Sequence, residues 1–114
     1  MPRTLTFVTR RVTMQSPLVD DDSVQLDAVM SALADPTRRR LFRLLRATPA
    51  LSTGELATRN RQMTRWGVMK HISLLRDAGL IQTMSEGRQR RHYPEKAALA
   101  PLRQWLAEAS SATD

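Results

Sequence analysis

Thr64-Arg65-Trp66-Gly67-Val68-Met69-Lys70-His71-Ile72-Ser73-Leu74-Leu75-Arg76-Asp77-Ala78-Gly79 reads as one helix with two unlike faces. Thr64 is an N-cap residue, and Gly79 supplies the left-handed conformation that ends a helix. Val68, Ile72 and Leu75 recur at i, i+4 and i+7, a stripe that turns toward a core. At 100° per residue, Trp66, Met69, Lys70, Ser73 and Asp77 then lie opposite that stripe, with Arg65 at the flank of the first turn. Gly67 sits beside the stripe and predicts a close approach of the preceding helix, since a glycine there otherwise costs about 1 kcal/mol.

The flanking sequence repeats this clarity. Upstream, Ser52 and Glu55 form an S-x-x-E capping box opening a short helix at Thr53, with Leu56 and Ala57 inward. Asn60 is a suitable left-handed stop, and Arg61-Gln62-Met63 leaves a tight turn before Thr64. Asp35-Pro36 is an N-cap followed by proline at N1, and it opens a helix with Leu41, Leu44 and Leu45 on one side. Arg38, Arg39, Arg40, Arg43 and Arg46 cover much of the rest, so at most part of that cluster can meet any one partner. Ala47 to Leu51 is a connection. Before it, Leu26, Val29, Met30 and Leu33 predict a helix over residues 23–34, with Asp22 and Gln25 as a capping pair.

Downstream of Gly79 the period drops to two. Leu80 to Met84 and Arg88 to Tyr93 predict a β-hairpin turning at Ser85-Glu86-Gly87. Pro101 starts a last helix reaching about Ser110, with Leu102, Trp105, Leu106 and Ala109 on one side. The expected order is α-α-α-α-β-β-α. This is a mainly α winged helix-turn-helix, a three-helical core with a basic β-hairpin wing. Residues 1–22 lack periodicity and are expected to be a disordered tail. Residues 23–110 form the domain, and 111–114 a short C-terminal tail.

Composition narrows the function. The 114 residues carry a net charge of +7, and all of the excess falls within residues 23–93, which favours an acidic partner. The absence of cysteine removes disulfides, thiolate metal sites and a catalytic thiol. His71 and His92, 21 residues apart, are a poor metal inventory and read as structural. No phosphate-cradling glycine loop, nucleophile elbow or paired-His motif is present, so neither an enzyme nor a cofactor is expected. No apolar run is long enough to span a membrane, and a soluble, intracellular chain is expected.

A major groove about 12 Å wide admits one α-helix, with its N-terminal turn deepest. The expected partner is therefore double-stranded DNA. The reading set is Thr64, Arg65, Trp66, Met69, Lys70 and Ser73, with Thr64 also occupied as a cap. On the wing, Arg88 and Arg90 are expected to alternate onto one face and Gln89 and Arg91 onto the other, and this segment would follow phosphates or the minor groove. The competing reading is a winged-helix interaction module whose positive charge serves an acidic protein.

Leu33-Ala34-Asp35-Pro36-Thr37-Arg38, Gly54-Glu55-Leu56-Ala57, the run Met69 to Leu80 and Gly87-Arg88 together resemble the ArsR/SmtB-type winged-helix repressors, over about residues 24–110. The resemblance implies a homodimeric bacterial repressor in the cytoplasm, associated with the nucleoid and released from an inverted-repeat operator by a small-molecule effector. It implies pairing through the first and last helices, here by Leu26, Met30, Leu102, Trp105, Leu106 and Ala109. The metal-sensing members place a Cys-containing motif on the third helix. Here that stretch reads Thr53-Gly54-Glu55-Leu56-Ala57, and the last helix carries Glu108 but no His. The resemblance is therefore to the non-metal branch.

Overall fold

The computed structural model describes residues 21–113. Helices α1 (Asp21–Ala32) and α2 (Pro36–Ala47) are followed by a two-residue strand β1 (Leu51–Ser52), helices α3 (Thr53–Thr58) and α4 (Arg65–Asp77), strands β2 (Ile81–Glu86) and β3 (Gln89–Pro94), and helix α5 (Ala100–Thr113). The winged helix-turn-helix architecture expected from the sequence is present. Most of the predicted N-terminal tail lies outside the described residues. Helix α5 continues to Thr113, through most of the stretch set aside as a C-terminal tail.

The three caps that define the helix-turn-helix form as the sequence dictates. The Asp35 carboxylate accepts the Arg38 N–H at 3.0 Å, with Pro36 at the first helical position. That amide holds the Asp35 carboxyl below the usual carboxylate range, with Arg38 and His71 acting in the same direction. At α3 the Ser52 hydroxyl accepts from Glu55 N, and the Glu55 carboxylate accepts from Ser52 N at 2.8 Å, completing the capping box. Ser52→Ala is expected to lower stability by about 1 kcal/mol, measured as a shift in the urea midpoint with an unchanged slope. At α4 the Thr64 hydroxyl accepts from Gly67 N at 3.0 Å. The other end of α4 closes as a Schellman motif: Gly79 (φ +80°) donates to Arg76 O and Leu80 N donates to Leu75 O, while both leucines are buried.

One core lies between the helices and the sheet. It takes Leu41, Phe42 and Leu45 from α2, Leu56 from α3, and Val68, Ile72 and Leu75 from α4. Leu51, Leu80, Ile81 and Ala98 close it from the sheet side and the segment before α5. Phe42 is buried while Leu44 is only half-buried, so the α2 stripe is rotated slightly from the expected one. In α1, Val29 and Ala32 enter the core but Met30 is exposed. The apolar residues of that helix therefore serve two faces, not one, and Leu33 lies just past its end.

The structure revises four local expectations. The stretch before Ser52 is not merely a connection: β1 pairs with β3 through Leu51 opposite His92 and Ser52 opposite Arg91, giving a three-stranded antiparallel sheet in the order β1-β3-β2. Ala50 accommodates φ +73° there because its N–H donates to His92 O and its carbonyl accepts from Arg91 Nη1, both at 2.9 Å. The hairpin turns at Gly87-Arg88, since Glu86 already pairs with Gln89, and Gly87 takes φ +62°. Asn60 does not adopt the left-handed conformation. It is buried, donating Nδ2–H to Leu56 O at 2.6 Å and accepting Arg40 Nε–H on Oδ1. Gln25 does not cap its own helix, because Asp22 lies within α1, and its amide instead donates across to Ala78 O at 3.3 Å.

Candidate nucleic-acid interface

Helix α4 presents its N-terminal half to solvent. Arg65, Trp66, Met69 and Lys70 are exposed, Trp66 to 67%, while Val68 and Ile72 on the other side of the helix are buried. Lys70 Nζ stands 4.8 Å from the Trp66 ring centroid, an i,i+4 cation–π pair. Thr64 is exposed but its hydroxyl is engaged by the cap. Ser73 is set back: it is half-buried, and its hydroxyl accepts from Arg76 Nη2 at 3.4 Å. Gly67 does not admit α3. A Cβ there would meet Met63 Cε at 3.2 Å and the Thr64 hydroxyl at 3.4 Å, so the glycine makes room for the cap of its own helix. The closer approach between the two helices is at Gly54, where a Cβ would stand 3.7 Å from Arg65 Nη1.

The wing stands beside this helix. Arg88, Gln89 and Arg90 are all exposed and, with Ser52, Thr53, Gly54, Arg65 and Met69, line one open cleft. Arg88 occupies the turn, so Arg90 shares its strand face with His92 and not with Arg88. Arg91 is committed elsewhere. Its Nε donates to Glu86 at 2.6 Å, and its guanidinium also reaches Glu55, Gln89 and the Ala50 carbonyl. Among the described residues the salt bridges involve Arg91 and His71, so the charges of Arg65, Arg88 and Arg90 face the cleft without a carboxylate partner.

A polar chain centred on one buried histidine joins reader and wing. His92 is 2% exposed, with Nε2 2.8 Å from the Thr53 hydroxyl and Nδ1 2.9 Å from the Thr83 hydroxyl. Thr83 also accepts from Arg76 Nη1 on α4. Burial, together with the charges of Arg76 and Arg90, pushes the imidazole down to about 4, so it is neutral at neutral pH. Arg76, Thr83, His92 and Thr53 thus tie α4, β2, β3 and α3 into one unit. No sequence motif marks them. The alternation that puts His92 on the inward face of the strand is the one available sign.

The arginines of α2 are chiefly structural. Arg38 donates Nε–H to Ala32 O at 2.7 Å and its Nη1 lies 3.4 Å from His71 Nδ1, while Arg39 donates to Leu33 O at 2.8 Å. These bonds serve carbonyls left open at the end of α1. The histidines likewise sit in protein contacts, and no group of three or more metal-ligating side chains occurs among the described residues.

Of the apolar residues expected on the first and last helices, Met30, Trp105 and Leu106 are exposed to 39%, 44% and 50%, and Val24 joins them at 52%. Leu26 and Ala109 are half-buried, and Leu102 packs against the core. Helices α1 and α5 pack against each other. No described helix is long and apolar enough to cross a membrane.

Comparison with known proteins agrees with this geometry. A helix-turn-helix domain family matches residues 33–83. The chain is 36% identical over 69 residues to the uncharacterized HTH-type transcriptional regulator YuzN of Bacillus subtilis (strain 168), covering 56% of this chain and 75% of that one. A crystal structure of an ArsR family transcriptional regulator superposes with a TM-score of 0.70 at 39% identity, covering 77% of this chain and 89% of that one. An ArsR-like transcriptional regulator from Rhodococcus sp. RHA1 does so at 0.68 and 28% identity, covering 80% and 84%. With the winged fold, the helix-turn-helix match and relatives of this identity in hand, the chain belongs to the ArsR family of transcriptional regulators.

Proposed function

We propose that this regulator is a homodimeric repressor of the non-metal branch, acting at the nucleoid in the cytoplasm. It reads an inverted repeat with the N-terminal turn of α4 in the major groove and the wing on phosphates or in the minor groove. The observation that carries this reading is the convergence of Arg65 from α4 with Arg88 and Arg90 from the wing on one open cleft, none of them paired to a carboxylate among the described residues. Polyanionic duplex is the partner such a cleft suits. The exposed apolar residues of α1 and α5 support pairing, and a two-fold dimer sets half-site centres about 10–10.5 bp apart or a multiple of that. A small-molecule effector releasing the operator belongs to the same reading.

Arg65 and Arg88 are expected to fail differently. Arg65→Ala relaxes preference at one base pair, by about 1–3 kcal/mol of discrimination. Arg88→Ala weakens binding to every duplex alike and reduces the salt slope by about 0.9 for each phosphate no longer neutralised. Gel-shift titrations against the selected operator and a scrambled duplex, over a range of salt, separate the two. Equal affinity of the intact protein for both duplexes would remove the reading, and identical behaviour of the two variants would remove the division between reader and wing.

A further inference from the structure

We infer that the half-site this chain selects presents thymine C5-methyl groups to Trp66 and Met69. The inference rests on the preceding reading, that α4 enters the major groove, and names the base chemistry it meets there. Trp66 and Met69 are three residues apart on the same exposed side of α4, 67% and 49% open to water, while the core is served by Val68, Ile72 and Leu75. Neither side chain belongs to the buried cluster of this fold or packs against it. They are large apolar groups in the first two turns of α4, the end that enters the groove, and neither joins the core of the single chain.

Their surroundings say what covers them. Met69 lines the same cleft as Arg65, Arg88 and Arg90, whose charges have no carboxylate partner among the described residues and suit a polyanion, not an apolar protein surface. The Lys70 ammonium stands over the Trp66 ring at 4.8 Å, yet the tryptophan remains 67% exposed. Within a major groove the base edges offer donors, acceptors and one apolar feature, the thymine methyl. Arg65 and Lys70 match the acceptors of guanine. An indole face and a thioether gain by leaving water only against an apolar group, so the methyl is their counterpart. Phosphates would not reward either side chain.

The test uses the full chain. An operator is first selected from random duplex DNA, then each thymine of one half-site is replaced in turn by deoxyuridine, which removes the methyl and leaves base pairing unchanged. At least one position is expected to lose about 3- to 5-fold in affinity, the worth of one buried methyl. Restoring the methyl as 5-methylcytosine opposite guanine at that position should recover part of the loss that plain cytosine causes. Trp66→Ala or Met69→Ala should shrink the deoxyuridine penalty at its own position to less than about 1.5-fold. Both residues are exposed, and a melting curve for each variant checks that the fold is kept. Operator enrichment followed by methyl-blind binding overturns this inference alone. So does a deoxyuridine penalty that persists undiminished in both variants, which would leave Trp66 free for another partner. Failure to enrich any operator overturns the preceding reading together with this one.

Discussion

Leu106→Asp is expected to convert the protein to a monomer and to lower its affinity for a two-half-site operator by about 10²- to 10⁴-fold, the advantage that linking two half-site contacts confers. Leu106 is half-exposed on α5, near the exposed Trp105 and on the helix that packs with α1, which exposes Val24 and Met30. A charge there costs the single chain little, because the side chain already meets water. In a paired face the same carboxylate would be desolvated without a partner, the more costly situation by several kcal/mol. Sedimentation or light scattering reads the mass, and gel shifts against one and two half-sites read the affinity. Single half-site binding should change little. A variant that stays dimeric, or a monomer that holds the full operator as tightly as before, would show that pairing lies elsewhere.

The second large effect is acid sensitivity. His92 is buried and neutral, its value depressed to about 4 against about 6.5 when unfolded. A depressed histidine stabilises the fold fully above the unfolded value, and that contribution is lost as pH falls through the window from about 6.5 to about 4. Across it the unfolded state takes up a proton the folded state refuses, so stability should drop by about 3 kcal/mol. Asp35 and Glu55 are held low by backbone amides of Arg38 and Ser52, so their losses fall at more acid pH, below their ordinary values. Urea unfolding at pH 7.5, 6 and 5 follows the slope. His92→Gln should be less stable at pH 7.5 yet flatter with pH over this window. An equal slope in that variant would assign the acid loss to another group.

The same residue shows where sequence reading stops. The helices were legible because each is written locally: Asp35-Pro36, Ser52 with Glu55, Thr64 and Gly79 all satisfy backbone groups within a few residues, and each forms as expected. The i, i+4, i+7 stripe of α4 likewise predicted its buried residues, and Arg65, Trp66, Met69 and Lys70 are exposed as expected, but Ser73 is half-buried. Errors arose where a side chain bonds across the chain. Gln25 reaches 53 residues to Ala78, and Asn60 joins Arg40 instead of merely ending α3. Arg91, beside the expected wing contacts, is held by Glu55 and Glu86, pairings that no local spacing announced.

By itself, the sequence determined the order of the five helices and the hairpin, the winged helix-turn-helix class and the outward residues of the N-terminal half of α4, because caps, turns and apolar periods act over one or two helical turns. Only the tertiary structure decided which arginines lack a carboxylate partner among the described residues, how β1 joins the wing, and that Thr53 and Thr83 meet the buried His92. Those outcomes depend on partners brought together by packing from distant parts of the chain, and no local spacing encodes such a meeting.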